Sequence, residues 1–153
     1  METLNDTAFR IFKLASAGFC CTQIMLKLAL EDEEKENIDL IRAVNGLCAG
    51  IGYTKKTCGV LTGGIAILGL YAGKGEAREL YKENYNAMMK EYMDWFEEEF
   101  ESTECGDIIG IQSISDDAGN ITYPVKCGDI IQKSYEKIQE ILFKNGYEYG
   151  DRD

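Results

Sequence analysis

Histidine is absent from all 153 residues, and that absence removes whole classes of chemistry. A Ser-His-Asp triad, a Cys-His dyad, a Cys2His2 zinc site and a His-ligated haem all need the imidazole. Histidine is also the side chain best placed to move protons near neutral pH, so any chemistry here falls to Cys, Asp, Glu, Lys and Tyr. Basic residues are scarce: 16 against 27 acidic, for a net charge of −11. Such a surface repels nucleic-acid phosphates and anionic membranes. The uncharged stretch 59–72 falls short of the roughly 20 residues that span a bilayer. The start, Met1-Glu2-Thr3-Leu4-Asn5-Asp6, is acidic where a secretory signal carries a basic region, which predicts a cytoplasmic chain. No Cys-x-x-Cys occurs, which argues against thioredoxin chemistry and the usual zinc ribbon. The clustered spacing of common ferredoxins is missing too.

What is present points to one ordinary globular domain. A length of 153 residues suits a single unit over 1–153 with a real core. Apolar content of 45% and charged content of 28% are typical of a globular protein. Six cysteines in this length fall well below the roughly 8–10% of a disulfide scaffold. Their thiols are therefore predicted to be reduced or metal-bound.

The apolar periodicity predicts an all-α, single-domain helical bundle. Leu4, Ala8, Ile11, Ala15 and Phe19 recur at helical spacing. In 17–30 only Lys27 is charged, so this part is predicted to be buried on most sides. The acidic run 31–37 reads as a solvated turn, and 38–44 as a short helix. Segment 59–72 reads as a central, glycine-rich buried helix, with Gly59, Gly63, Ala66 and Gly73 on one face. Segment 76–101 is the longest predicted helix, with Tyr81, Tyr85, Met88, Tyr92 and Trp95 or Phe96 inward. Residues 111–125 read as irregular, with a turn at Asp116-Asp117-Ala118-Gly119-Asn120 and the one proline at Pro124. A last helix is expected over about 128–144, ended by Asn145-Gly146, with 145–153 a mobile tail.

The chain is organised around residues 45–64, a loop that contains Cys48 and Cys58. The span 46–75 holds nine of the sixteen glycines. Glycine lets backbone N–H groups come close to a sulfur or a metal cluster. Cys-Gly-Asp-Ile-Ile occurs at 105–109 and again at 127–131, and Cys58-Gly59-Val60-Leu61 is a third Cys-Gly start. Each cysteine precedes an expected helix, with Asp107 and Asp129 as first-turn acids. A helix N-terminus offers free N–H groups and about half a positive charge, which favours a thiolate. Cys58, Cys105 and Cys127 are thus predicted thiolate positions. Cys20 is read as a packing residue, and Cys21 stays open between packing and function.

Together these residues form a recognisable pattern. Cys21, Leu47-Cys48-Ala49-Gly50-Ile51-Gly52, Cys58-Gly59 and Cys105 resemble the C-GCAxxG-C-C family of redox-active proteins. Phe19-Cys20-Cys21-Thr22-Gln23 resembles its first cysteine segment, Thr57–Gly63 is similar to its third, and Cys127 resembles a further family cysteine. The resemblance covers roughly residues 10–143. Leu47 stands where the motif has its first glycine, and Cys20 is additional. The resemblance implies a mostly helical fold and a redox or electron-transfer role, mainly in anaerobic microbes. It extends to the non-haem part of split-Soret cytochromes, for which an iron–sulfur site has been proposed.

Three functions compete at this point. The first is an electron carrier or accessory redox protein, rather than a stand-alone enzyme, serving a redox partner protein. It would hold an iron–sulfur cluster, two-iron by expectation, through Cys48, Cys58, Cys105 and Cys127. Gly52 and Gly59 would lie beside that cluster, and Cys21 would be a nearby fifth redox thiol or alternate ligand. The second is metal-free thiol–disulfide redox or sensing by the same cysteines. The third is a structural or interaction module with a zinc or empty thiol site. The partner list holds no nucleic acid and no membrane, and a homodimer is open. Cys20 is expected to point away from the site, because neighbouring helical residues diverge by about 100°.

Overall fold

The computed structural model describes residues 4–109 and 125–152. Seven α-helices make up the architecture of the described residues: α1 (Leu4–Ser16), α2 (Cys21–Asp32), α3 (Ile38–Ala43), α4 (Gly59–Ala72), α5 (Glu83–Phe100), α6 (Cys105–Ile109) and α7 (Val125–Lys144). A single 3-10 turn, Asn45–Leu47, follows α3. The all-α single bundle read from the periodicity is the fold observed. Residues 111–124 of the irregular stretch, with the turn at 116–120, lie outside the described residues, and Val125 already belongs to α7.

Helix α4 is the hub, packed by α2, α5 and α7. Its glycines serve two neighbours rather than one. A Cβ on Gly63 would lie 2.9 Å from Met25 Cβ of α2, whereas one on Gly64 would run into the Tyr92 ring of α5. Both helices therefore approach closer than a side chain on α4 permits. Two buried hydrogen bonds fix these approaches: Thr22 Oγ1 donates to the Gly59 carbonyl at 2.9 Å, and Tyr92 Oη to the Val60 carbonyl at 2.8 Å. Around them Ile24, Met25, Leu26, Ile67, Leu68, Met88, Phe96, Ile131 and Ile138 form the core.

Three boundaries differ from the sequence reading. Gly18, at φ +97°, takes the left-handed conformation that ends α1, and Cys20 becomes the extended N-cap of α2. The apolar stretch 17–30 thus begins with a break. The long helix starts at Glu83, not Glu76. Residues 73–82 wrap around Lys74, whose ammonium donates to the carbonyls of Glu76 at 2.9 Å and Ala77 at 2.8 Å. Tyr81 consequently leaves the apolar face and is 80% exposed. The last helix begins at Val125, so Cys127 is its third residue rather than a residue before it.

The terminal residues read as a mobile tail are held in place. Arg152 grips the Glu33 carboxylate through Nε at 2.8 Å and Nη2 at 3.0 Å, and the Glu33 side chain is only 1% exposed. The Gly150 N–H donates to Tyr71 Oη at 3.0 Å, and Tyr149 stacks on Tyr71. Tyr135 Oη bonds both the Asp32 carboxylate and Tyr149 Oη. The polar residues of this segment find buried partners on α2, α4 and α7, which composition alone does not reveal.

Candidate functional site

Loop 48–57 and the chain ahead of α6 build the site. Thr57 and Glu104 form an antiparallel bridge. On either side of it, the Cys58 N–H donates to the Thr103 carbonyl at 2.8 Å, and the Cys105 N–H to the Lys56 carbonyl at 2.6 Å. This short ladder sets the N-cap of α4 beside the first residue of α6. Cys58 is that N-cap and Cys105 is that first residue.

Cys21 reaches the same place from α2. A Cβ on Gly59 would lie 2.5 Å from Cys21 Sγ, so the missing side chain makes room for the sulfur. The Ala49 N–H donates to Cys21, and Cys21 and Cys105 are both near enough to raise the Cys58 pKa. Cys21, Cys58 and Cys105 are thus one buried trio. Cys127 lies on α7, half-buried against the core. Gly52 is in the exposed part of the loop at φ +61° with open space around it, so of the two glycines named from the sequence only Gly59 lies at the sulfurs.

Cys48 is not a free thiol. It is joined to Cys20 in a disulfide, with Cα atoms 5.9 Å apart. The two neighbours Cys20 and Cys21 point to different partners. Cys20, however, turns to the loop instead of away from it. Its position as an extended N-cap, outside the helix, frees it from the helical direction. The signal for this pairing in the sequence is the vicinal pair Cys20-Cys21 together with a cysteine-bearing glycine loop, and Cys20 is a disulfide partner rather than a packing residue.

Electrostatics also differs from the sequence expectation. Helix N-termini lower a thiol pKa, yet all three members of the trio are raised. Burial pushes Cys58 up to about 12, the neighbouring Cys21 adds to this, and the Val60 and Leu61 N–H groups only partly oppose it. Burial raises Cys21 against the Ala49 and Thr22 N–H groups. Burial also raises Cys105, with Cys21 adding and the Lys55 ammonium opposing. Desolvation of the anion exceeds the local N–H donors in each case.

The loop has an unusual backbone. Ala49, Gly50, Ile51, Gly52 and Tyr53 all have positive φ, between 53° and 73°, and Lys55 has φ 61°. The non-glycine residues carry a cost of about 1 kcal/mol or more each in this region, and β-branched Ile51 is the least suited. Backbone bonds hold the turn: Gly52 N–H to Gly46 carbonyl at 2.8 Å, and Lys56 N–H to Gly50 carbonyl at 2.9 Å. Thr54 Oγ1 adds bonds to the Gly50 and Ile51 carbonyls, each 2.8 Å.

The donor set decides how well a four-thiolate cluster fits. Cys48 shares its sulfur with Cys20, and a disulfide sulfur is not a thiolate ligand. Among the described residues no group of three or more His, Cys, Asp or Glu is placed to hold a metal ion. The residues as arranged do not fit the cluster expected on Cys48, Cys58, Cys105 and Cys127. Among the described residues no helix is long and apolar enough to cross a membrane.

A family model described as "Putative redox-active protein (C_GCAxxG_C_C)" matches residues 19–141. No curated protein and no solved structure matches the chain.

Proposed function

The chain belongs to the C_GCAxxG_C_C family, and from that premise we propose that it is a thiol–disulfide redox protein whose working couple is Cys20–Cys48. The observation that carries this reading is the disulfide itself, set beside three buried cysteines that remain thiols. Reduction takes two electrons and two protons, breaks the sulfur–sulfur bond and yields two thiols. Electrons come from a dithiol on a redox partner protein or from two small thiols. The raised pKa values of Cys21, Cys58 and Cys105 support a defined pair. Protonated thiols are poor nucleophiles, so these neighbours do not shuffle the disulfide. The protein serves as an accessory in a cytoplasmic redox system rather than as a stand-alone enzyme.

Thiol titration of the denatured, aerobically purified protein tests this directly. Two more thiols are expected after reduction than before it, those of Cys20 and Cys48. A visible spectrum of protein purified without oxygen decides between this and the other readings. Sulfide-to-iron charge-transfer bands with no disulfide would overturn the proposal in favour of an iron–sulfur electron carrier. A colourless protein with six thiols and bound zinc would favour the structural module.

A further inference from the structure

The two ends of the cleft between α2 and α3 meet different surroundings. One end opens to solvent beside the 31–37 turn. The other is lined by Gln23 and Asn45. The cleft measures about 600 Å³, within the range of small-molecule sites. Gln23 and Asn45 both line it, and both touch the disulfide. The Cys20 N–H donates to Gln23 Oε1 at 3.2 Å, and Asn45 Oδ1 lies 3.7 Å from Cys20 Sγ. Asn45 is itself exposed. Cys48 is completely buried and Cys20 nearly so, at 2%. Of the two sulfurs, that of Cys20 is the one in contact with residues that line the cleft.

The charge in the cleft runs against that of the molecule. Lys27, Lys35 and Arg42 line it, against Glu31 and Glu36. Glu31 is already engaged by Arg10 at 3.2 Å. Lys35 donates to the Arg152 carbonyl, a neutral acceptor that leaves its charge uncompensated. Lys27 Nζ sits 4.8 Å from the centre of the Phe19 ring, which also faces the cleft. The Arg42–Asp39 pair is highly exposed on both sides and so is screened and weak. A locally cationic cleft on a protein of net charge −11, with apolar walls at Phe19 and Ile41, suits a small anion with a short carbon skeleton.

We infer that this cleft docks the small-molecule redox partner of the Cys20–Cys48 pair, and that the partner is a carboxylate-bearing thiol or its disulfide. The inference rests on the thiol–disulfide function proposed above. The thiolate of the docked molecule attacks Cys20 Sγ. A new sulfur–sulfur bond forms to Cys20, the Cys20–Cys48 bond breaks, and Cys48 leaves as a thiolate that takes up the proton the attacking thiol gave up. A second thiolate attacks the small-molecule sulfur of the mixed disulfide and releases Cys20. Two small thiols are oxidised to one disulfide, one protein disulfide is reduced, and no other reactant is consumed. The reverse sequence oxidises the protein.

The test compares mercaptoacetate, an anionic thiol, with cysteamine, a cationic one. Rates of loss of the protein disulfide are read by mass spectrometry after alkylation and expressed per thiolate at low ionic strength. Electrostatic guidance raises encounter rates by roughly 10- to 1,000-fold, so mercaptoacetate is expected to be at least about 10-fold faster. In 1 M salt, where the Debye length is about 3 Å, the ratio should fall toward one. The Lys27→Gln/Arg42→Gln double variant should lose the preference. A Lys90→Gln/Lys133→Gln variant, of equal net charge and away from the cleft, should keep it. A wild-type ratio of one or below, or equal ratios in the two double variants, overturns the cleft and leaves the disulfide couple standing. Six free thiols in the aerobically purified protein overturn the couple, and the cleft inference with it.

Discussion

Replacing Gly59 by alanine probes the contact on which the thiol trio depends. The added Cβ would lie 2.5 Å from Cys21 Sγ, 2.5 Å from Thr22 Oγ1 and 3.2 Å from the Leu47 carbonyl oxygen. Neither side chain can retreat freely. Thr22 is held by its bond to the Gly59 carbonyl, and Cys21 accepts the Ala49 N–H in a fully packed setting. Overpacking of this kind costs about 1–3 kcal/mol, and a displaced Thr22 loses a hydrogen bond worth about 1 kcal/mol. Alanine regains at most about 1 kcal/mol of helix propensity. The net expectation is a loss of about 2 kcal/mol. At about 2–4 °C per kcal/mol for a chain of this size, the melting temperature should fall by about 4–8 °C. Gly46→Ala is the control, because a Cβ there meets nothing within 4 Å; it should stay within about 0.5 kcal/mol. Urea denaturation of both variants, under oxidising conditions, gives the comparison. A Gly59→Ala protein as stable as wild type, or indistinguishable from Gly46→Ala, would refute the close approach of α2 to the start of α4.

The other expectations can be checked on the same material. Cys20→Ala opens a disulfide with a sequence separation of 28; by the chain-entropy relation this costs about 3–4 kcal/mol, visible in urea midpoints without reductant and absent with it. Cys58 has its pKa raised from 9.0 to about 12 in the fold. Its stabilising contribution is therefore complete below pH 9 and is lost as pH rises toward 12, up to about 4 kcal/mol. Midpoints measured between pH 8 and 11 should fall more steeply in wild type than in Cys58→Ala. Arg152→Ala leaves the buried Glu33 carboxylate without its partner and should cost about 2–3 kcal/mol, somewhat less than breaking a fully buried pair. Adding Glu33→Gln to that variant should recover part of the loss in the same assay.

Much of the bundle is legible because its cause is local. Spacing of apolar residues marks α1, α4 and α7, and the small residues of 59–72 announce a helix that others approach closely. The cysteine positions at helix starts are equally visible at Cys58 and Cys105. What the chain order hides is set by contacts between distant segments. The Cys20–Cys48 pairing depends on Gly18 ending α1 two residues earlier, which turns Cys20 from a helical residue into a cap. The thiol pKa values depend on desolvation, which no motif records. The packed terminus depends on Glu33 and Tyr71, far away along the chain. The helix boundary at Glu83 depends on one ammonium gathering the carbonyls of a turn.

The left-handed run 49–53 has a consequence for the chirality of its building blocks. Positive φ is the preferred region of a D-amino acid, whose side chain leaves the backbone from the opposite side to that of an L-residue. Gly52 lies in open space at φ +61°, so D-alanine there would match the native backbone and restrict the unfolded chain, as favourable glycine replacements do. L-alanine at the same position would join Ala49, Ile51 and Tyr53 in opposing it. In a semisynthetic version of the protein, the segment next to Cys48 would be the part of the molecule that accepts mirror-image residues most readily.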